Sequence, residues 1–272
     1  MGYHTRDMLR TLKIYPALLR AYWQRALVYR ATYLVVLVNA SFPLVMMAIW
    51  IGLAQGGAIQ GYGAAGFAAY YLAAILVRRI TGCGIVRDIE LLVRNGDLSV
   101  YLLRPLDVVH FYIARILTAR LITIPIVAAP VLIGMLITPG IQLNLTPYNL
   151  ALFALACAVG LAFEFTAQYA IGGLSFWMTQ AHGASAAFTL AESFLGGYIV
   201  PLALFPATLQ IVLQALPFQS SVALPVEILI GRVTPDAAAA RILLCAAWVF
   251  AIALGARLIW RAGVRSFSAV GA

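Results

Sequence analysis

Charged residues are scarce in this sequence. Only 10% of its 272 residues are Asp, Glu, Lys or Arg, whereas 64% are hydrophobic. Soluble globular domains carry roughly 25% charged residues. Mean hydropathy is correspondingly high, at +0.96. The shortage of charge excludes an ordinary soluble domain and predicts an all-α membrane protein that crosses the bilayer several times.

Sequence motifs of catalysis are also missing. No Gly-x-x-x-x-Gly-Lys-Ser/Thr phosphate loop is present, so the chain does not cradle ATP by that means. None of its three histidines lies in His-Glu-x-x-His, and no Gly-x-Ser-x-Gly occurs. The three cysteines form no Cys-x-x-Cys pair, so neither disulfides nor a metal site is predicted. Transport therefore fits better than membrane-embedded catalysis, and it requires either an ion gradient or a separate motor.

The net charge of +9 comes from basic residues at the ends of apolar runs. There they act as membrane anchors and topology signals, so nucleic acid is not a predicted partner. Residues 1–30 carry six basic residues against a single acid, with leucines and aromatic residues on the opposite helical face. We expect this segment to form an amphipathic helix that lies flat on the cytoplasmic leaflet.

Six apolar runs are long enough to cross a bilayer as helices. We expect spans at about 31–54, 66–86, 108–138, 148–178, 184–205 and 234–260. Basic residues concentrate in the N-terminal segment, in 78–107 and at the C-terminal end, whereas the loops 55–65 and 139–147 have none. The positive-inside rule therefore places both termini in the cytoplasm.

Residues 206–233 are apolar but do not have the pattern of a further span. Three prolines interrupt the segment, and a membrane crossing needs ~20 unbroken residues. Two short helices, at about 207–215 and 224–231, fit this segment better than one crossing.

The longest polar interruption of the apolar sequence is 78–107. An apolar helical face within it is formed by Ile85, Val86, Ile89, Leu92 and Val93. Arg87, Glu90 and Arg94 fall on the opposite face, with Glu90 and Arg94 at the favourable i, i+4 offset. Gly96 follows as a helix stop. This pattern predicts either a surface helix that docks onto a soluble partner or a solvated loop on the headgroups.

Together these features resemble the membrane subunits of ABC-2 type ABC exporters, and in particular a less characterised bacterial branch. The resemblance covers nearly the whole chain. It includes the basic N-terminal segment, the loop IELLVRNGDLSVYLLRPLD and the broken segment GGYIVPLALFPATLQIVLQALPFQSSVALPVEILIGR after the fifth span. Asn95–Leu106 is an especially similar string.

The resemblance implies a non-catalytic permease subunit of the bacterial cytoplasmic membrane, without a cofactor of its own, that exports an unidentified substrate. A second permease subunit, identical or related, and two cytoplasmic ATPases that bind ATP and Mg are the implied partners. Residues 1–30 then correspond to a connecting helix, 31–265 to the six-span domain and 266–272 to a cytoplasmic tail. Within that domain, 85–95 corresponds to the coupling helix and 206–233 to outer re-entrant helices.

The same resemblance assigns roles to individual residues. Those expected to couple to the ATPase are Arg87, Asp88, Glu90, Leu91, Arg94 and Asn95. Those expected to shape the outer re-entrant segment are Pro201, Phe205, Pro206 and Pro217.

Acidic and basic residues inside the spans need polar surroundings, because an ionised side chain at mid-bilayer costs ~2.5–3.5 kcal/mol. Glu164 and Glu192 should face the bundle interior, a partner or water. Together with Gln168, one turn from Glu164, they either line the translocation path or its gate, or they are protonated or form structural hydrogen bonds across helices. A basic inner vestibule, or alternatively a set of side chains that snorkel to lipid phosphates, is expected from Arg78, Arg79, Arg115 and Arg120. The main alternative function is a gradient-driven secondary transporter with Glu164 and Glu192 as proton carriers. The chain shows no evident internal repeat to support it.

Overall fold

A computed structural model describes residues 41–104 and 106–267, together with Pro16, Leu19, Arg20, Trp23 and Gln24. Within these residues the chain is helical and forms no strand. The predicted all-α class is thereby confirmed. Most of the predicted connecting helix at 1–30, and most of the predicted tail at 266–272, lies outside the described residues.

Ten α-helices follow one another between residues 41 and 267. They are α1 (Ser41–Leu53), α2 (Ala64–Thr81), α3 (Val86–Arg94), α4 (Leu98–Leu102), α5 (Val108–Ile137), α6 (Pro147–Gly173), α7 (Ala181–Leu195), α8 (Ala207–Ala215), α9 (Ala223–Leu229) and α10 (Pro235–Ser266). Single turns of 3-10 helix follow α1 and α6 and flank α8 on both sides.

Four helical stretches in the described part of the chain are long and apolar enough to cross a membrane. They are Ala64–Arg94, which comprises α2 and α3, and Val108–Ile137, Pro147–Phe176 and Pro235–Ser266. Helix α1 is apolar but shorter. The count of six spans therefore stays a prediction. Helix α10 packs along α6, and α2 contacts α1, α5 and α6. We name the ends of this bundle after the short helices that lie there, the α3 end and the α9 end.

The second predicted span was expected to reach Val86, and this boundary is wrong. Helix α2 ends at Thr81, and a short connection containing Gly82 and Gly84 separates it from α3. Glycine is among the poorest helix formers, so two of them close together interrupt the helix although the apolar pattern continues. The interruption makes α3 a separate helix, very close to the predicted 85–95.

The fifth predicted span was expected to reach Phe205, and it also ends early. Helix α7 stops at Leu195, and Gly197 follows with a φ of +86°, in the left-handed region that favours glycine. A Cβ atom at Gly197 would lie 2.7 Å from the hydroxyl oxygen of Tyr70. Both the turn and the close approach of α2 therefore require glycine here.

The backbone after α7 stays irregular inside the bundle, where each unsatisfied carbonyl would be costly. Hydroxyl groups of α2 supply the missing donors. The three hydrogen bonds, each 2.7 Å long, join Tyr70 to the carbonyl of Gly197, Tyr71 to that of Ile199 and Thr81 to that of Ser221. Helix α2 therefore holds this segment in place from within the protein.

The predicted pair of short helices in 206–233 is present as α8 and α9. Pro206 precedes α8, and Pro217, which is buried, opens the 3-10 turn after it. Pro201 opens the other 3-10 turn, and the carbonyl of Phe205 accepts a 2.7 Å hydrogen bond from Gln210. The prolines thus mark the turns of this segment, as expected from their fixed φ and missing N–H.

Charged side chains tie the segment to its neighbours at the α9 end. Arg241 of α10 donates to Glu227 at 2.8 Å and to Gln219 at 2.7 Å. Arg232 donates to the carbonyl of Gly61, in the loop between α1 and α2, and lies over the ring of Tyr62. These contacts close the α9 end of the bundle.

We predict that Tyr70→Phe lowers the free energy of unfolding by about 1–3 kcal/mol, the cost of a buried acceptor left without its donor. The measurement is thermal unfolding of the purified protein in detergent. Tyr148→Phe is the matched control, because Tyr148 is 59% exposed. Equal melting temperatures for the two variants would show that the Gly197 carbonyl does not depend on Tyr70.

Candidate functional site

Three charged side chains from three helices meet inside the bundle. Arg78, near the end of α2, contacts Glu192 of α7 and lies 3.4 Å from Glu164 of α6. Both carboxyl side chains are fully buried, whereas that of Arg78 is 21% exposed. The guanidinium also lies 5.7 Å from the ring centre of Tyr198, in the irregular segment after α7. One cation thus joins α2, α6 and α7.

The charges of this cluster do not balance, since it holds two carboxyl groups and one guanidinium. The second oxygen of Glu164 and that of Glu192 are buried and have no hydrogen-bond partner among the described residues. Removing Arg78 would leave both carboxyl groups without a counter-ion. Arg78 is therefore the member of the cluster on which the other two depend.

A second contact joins α6 and α7, one helical turn from Glu164 on α6. Gln168, which is 2% exposed, accepts a 2.9 Å hydrogen bond from Ser185. The sequence predicted an enclosed or wet position for Glu164 and Glu192 and related only Gln168 to Glu164, and the structure has all three at one interface. It also adds Arg78, which the sequence had assigned to a vestibule. Neither Tyr198 nor Ser185 carried a signal in the sequence that could have identified it.

The other three arginines predicted for the vestibule lie in different surroundings. Arg115 of α5 pairs with Asp88 of α3 at 2.6 Å. Arg120 donates to the carbonyl of Ile80 at 3.2 Å, near the end of α2. Arg79 is half-buried, and its Nε atom has no hydrogen-bond partner in the described part of the chain. Two of the three therefore make contacts within the protein, and a vestibule role for the set stays a prediction.

Helix α3 rests on the bundle through its apolar face. Ile89 and Val93 are buried there in a cluster that includes Tyr169 and Trp260. A Cβ atom at Gly172 of α6 would lie 2.6 Å from the Cδ1 atom of Ile89. Because Gly172 has no side chain, Ile89 of α3 packs directly against the backbone of α6.

Glu90 differs from its predicted position on the exposed polar face of α3. It is 4% exposed and accepts a 2.9 Å hydrogen bond from the backbone N–H of His182. One of its oxygens also lies 3.0 Å from Nδ1 of the same histidine. His182 is in the first turn of α7, where backbone N–H groups lack helical partners and attract negative charge. Glu90 therefore caps α7, a long-range contact that helical periodicity cannot reveal.

The hydrogen bond from the His182 backbone lowers the pKa of Glu90, and the histidine side chain and Arg94 lower it further. A carboxyl group with a lowered pKa stabilises the folded protein above its ordinary pKa. That contribution is lost when the pH falls through the lowered pKa. The contact between α3 and α7 is therefore fully formed at neutral pH.

The remaining polar residues of α3 are exposed. One exposed face, which we call the α3 stripe, consists of Arg87, Leu91, Arg94 and the C-cap residue Asn95. Asp88 is exposed as well, but it is paired with Arg115. The α3 stripe carries two positive charges and, within the described residues, only Arg94 lies near an acid, 3.9 Å from Glu90.

A sequence model of ABC-2 family transporter proteins matches residues 39–271. The chain belongs to this family. As an ABC-2 permease it is a multi-pass membrane protein, and such permeases are generally non-catalytic membrane subunits. No curated protein and no solved structure matches it. Among the described residues, no group of three His, Cys, Asp or Glu side chains is arranged to hold a metal ion.

We predict that loss of the cation and loss of one carboxylate in the Arg78 cluster have different effects on stability. Arg78→Gln leaves two buried carboxyl groups unpaired and should lower the free energy of unfolding by about 3–5 kcal/mol. Glu164→Gln removes the surplus negative charge and should leave stability at or above that of the parent protein. Melting temperatures in detergent measure both effects.

The double variant Arg78→Gln, Glu192→Gln serves as the control for lost volume and packing. It removes both partners of the closest ion pair and should regain part of the stability that is lost in Arg78→Gln alone. If Glu164→Gln destabilised the protein as much as Arg78→Gln, the charge imbalance of the cluster would be refuted.

Proposed function

We propose that this ABC-2 permease is the membrane subunit of an ATP-driven exporter in the bacterial cytoplasmic membrane. It pairs with a second permease subunit and with two cytoplasmic ATPases, which bind ATP and Mg. In this proposal the chain crosses the membrane six times, with both termini and the α3 end in the cytoplasm. The position of α3 is the observation that carries the proposal.

Helix α3 has the two faces that a docking helix requires. Its apolar face is seated on α6 at Gly172, and the ion pair between Asp88 and Arg115 links it to α5. Its opposite face, the α3 stripe, is exposed and carries Arg87 and Arg94. A buried inner face and a free basic outer face support docking of an acidic surface of the ATPase.

A chain of charged contacts leads from α3 into the membrane. Glu90 holds the first turn of α7, and Glu192, near the other end of α7, contacts Arg78 of α2. The rise from His182 to Glu192 is about 15 Å for ten helical residues. A force applied to α3 therefore reaches the Arg78 cluster through one rigid helix.

The Arg78 cluster is the gate in this proposal. Glu164, Glu192 and Gln168 lie on the interface between α6 and α7, so a shift of α7 changes their separation. The backbone of the chain becomes irregular immediately beyond α7. Irregular backbone at membrane depth is tolerated where it is enclosed by protein or lines a cavity, and a translocation path at this interface meets that condition. The segment 206–233 covers the exit at the α9 end.

A gradient-driven secondary transporter is the second candidate, and one observation favours it. The unpartnered oxygens of Glu164 and Glu192 are suited to carry protons. That mechanism gives no role to the α3 stripe. Transport into inverted vesicles separates the two candidates, since one requires ATP and the ATPase and the other requires only a proton gradient.

We predict that two variants of α3 separate docking from coupling when the permease is isolated with its ATPase and reconstituted. Arg87→Glu reverses a charge on the α3 stripe and should reduce the amount of ATPase bound. Glu90→Gln keeps the stripe but weakens the contact with α7 by roughly 1 kcal/mol. It should therefore retain the bound ATPase while its stimulated ATP hydrolysis falls about fivefold.

Asp236→Arg, an exposed charge change at the α9 end, is the control and should alter neither quantity. All rates are normalised to the amount of permease. If no ATPase is isolated with the parent permease, or if both α3 variants retain full binding and coupling, the motor-driven proposal fails.

We predict a fixed orientation from the distribution of basic residues. In a cysteine-free variant, a cysteine introduced at Ala58 should react with a membrane-impermeant maleimide added to intact cells. A cysteine at Asn95 should react only after permeabilisation. Both positions are exposed, so access to the protein surface does not limit labelling. Labelling of position 95 in intact cells would invert the proposed topology.

A further inference from the structure

A cavity of about 540 Å³ lies at the α3 end, between the start of α5 and the last turns of α10. Its polar and aromatic wall residues are Tyr101, Arg104, Asp107, Trp260, Arg261 and Arg265. None of these residues belongs to the α3 stripe or to the Arg78 cluster. The cavity therefore adjoins the apolar cluster under α3 through Trp260 but is distinct from the α3 stripe and the Arg78 cluster.

The charge of the cavity is positive and uncompensated within the described chain. Arg104, Arg261 and Arg265 are exposed, and none of them forms an ion pair with a carboxylate among the described residues. Asp107 is the one acid of the wall, and its side chain accepts a 3.2 Å hydrogen bond from the backbone N–H of Val109 at the start of α5. Three arginines and one aspartate thus line one cavity, whose net charge is +2.

One of these guanidinium groups is held in place by aromatic rings. The guanidinium carbon of Arg104 lies 4.8 Å from the ring centre of Tyr101 and 5.4 Å from that of Phe111. Such stacking fixes the orientation of an arginine and leaves its N–H groups free to bind an anion. Trp260, which is 9% exposed, forms part of the apolar floor.

In the proposed six-span topology α10 begins at the opposite face of the bilayer, and its length then puts the cavity at the depth of the lipid headgroups. Trp260 lies ~38 Å along the helix from Pro235, at 1.5 Å per residue. The hydrocarbon core of a bilayer is about 30 Å thick, and the headgroup regions extend it to about 40–45 Å. Leu254 and Leu258, just before the cavity, are 49% and 65% exposed. The exposed surface of α10 therefore changes from leucine to arginine at the level of the cavity.

We propose that this cavity binds the phosphate of an anionic phospholipid headgroup. Arg104, Arg261 and Arg265 bind the phosphate oxygens, because guanidinium groups match phosphate in charge and geometry. The apolar floor at Trp260 contacts the glycerol region, and the acyl chains continue along the exposed leucines of α10. A soluble anion would not use these apolar surfaces, and an acidic surface of the ATPase would not require the cavity.

The test uses the purified permease alone in detergent, so its outcome does not depend on the ATPase. Melting temperature is titrated with phosphatidylglycerol, with phosphatidylcholine and with glycerol phosphate. Phosphatidylglycerol should stabilise the parent protein at the lowest concentration. In the variant Arg261→Gln, Arg265→Gln the concentration required should rise about 25-fold, or about fivefold for each arginine. The response to phosphatidylcholine should not change.

Arg257→Gln is the matched control, since Arg257 is an exposed arginine of α10 outside the cavity. It should shift the titration less than about twofold, because an isolated exposed charge contributes little. An equal shift in Arg257→Gln would indicate general attraction to surface charge and overturn the proposal. Equal stabilisation by glycerol phosphate would assign the cavity to a soluble anion. An unchanged phosphatidylglycerol titration in the Arg261→Gln, Arg265→Gln variant would also overturn the proposal.

Discussion

The position of α7 depends on the contacts of Arg78 with Glu164 and Glu192. Helix α7 has 15 residues, or about 22 Å, and is shorter than the hydrocarbon core of about 30 Å. Its apolar surface alone therefore does not fix its depth in the bilayer. An ion pair at one end and the Glu90 cap at the other do so. The Coulomb attraction between opposite charges grows as the local dielectric constant falls, so a buried ion pair restrains α7 more than an exposed pair would.

The two ends of α7 are held by different kinds of contact. At the α3 end, the buried carboxylate of Glu90 accepts a hydrogen bond from the backbone N–H of His182, whose own side chain is 57% exposed. Inside the bundle, two fully buried carboxyl groups share one cation. In the proposed mechanism, a motion of α3 reaches the Arg78 cluster along α7.

Periodicity, proline positions and charge distribution predict the class, the long helices, α3 and the two short helices of 206–233. They fail where local and distant preferences compete. The apolar pattern continues past Thr81 and past Leu195, but glycines that follow allow the backbone to turn. Glu90 has the spacing of an exposed polar face, yet it is buried because it binds the N-terminus of α7, 92 residues away. Likewise, Arg78 is 114 residues from Glu192, so no local pattern could have paired them.

The hydrogen bonds from α2 to the irregular backbone also set an order of assembly. Lipid offers no donors for the carbonyls of Gly197, Ile199 and Ser221, so this segment cannot settle at membrane depth by itself. Its partners Tyr70, Tyr71 and Thr81 lie on a helix that is synthesised more than a hundred residues earlier. Because translation begins at the N-terminus, the hydroxyl donors of α2 are synthesised before the carbonyl groups that accept from them. A rearranged chain in which α2 followed α9 would have to expose those carbonyls to hydrocarbon during insertion.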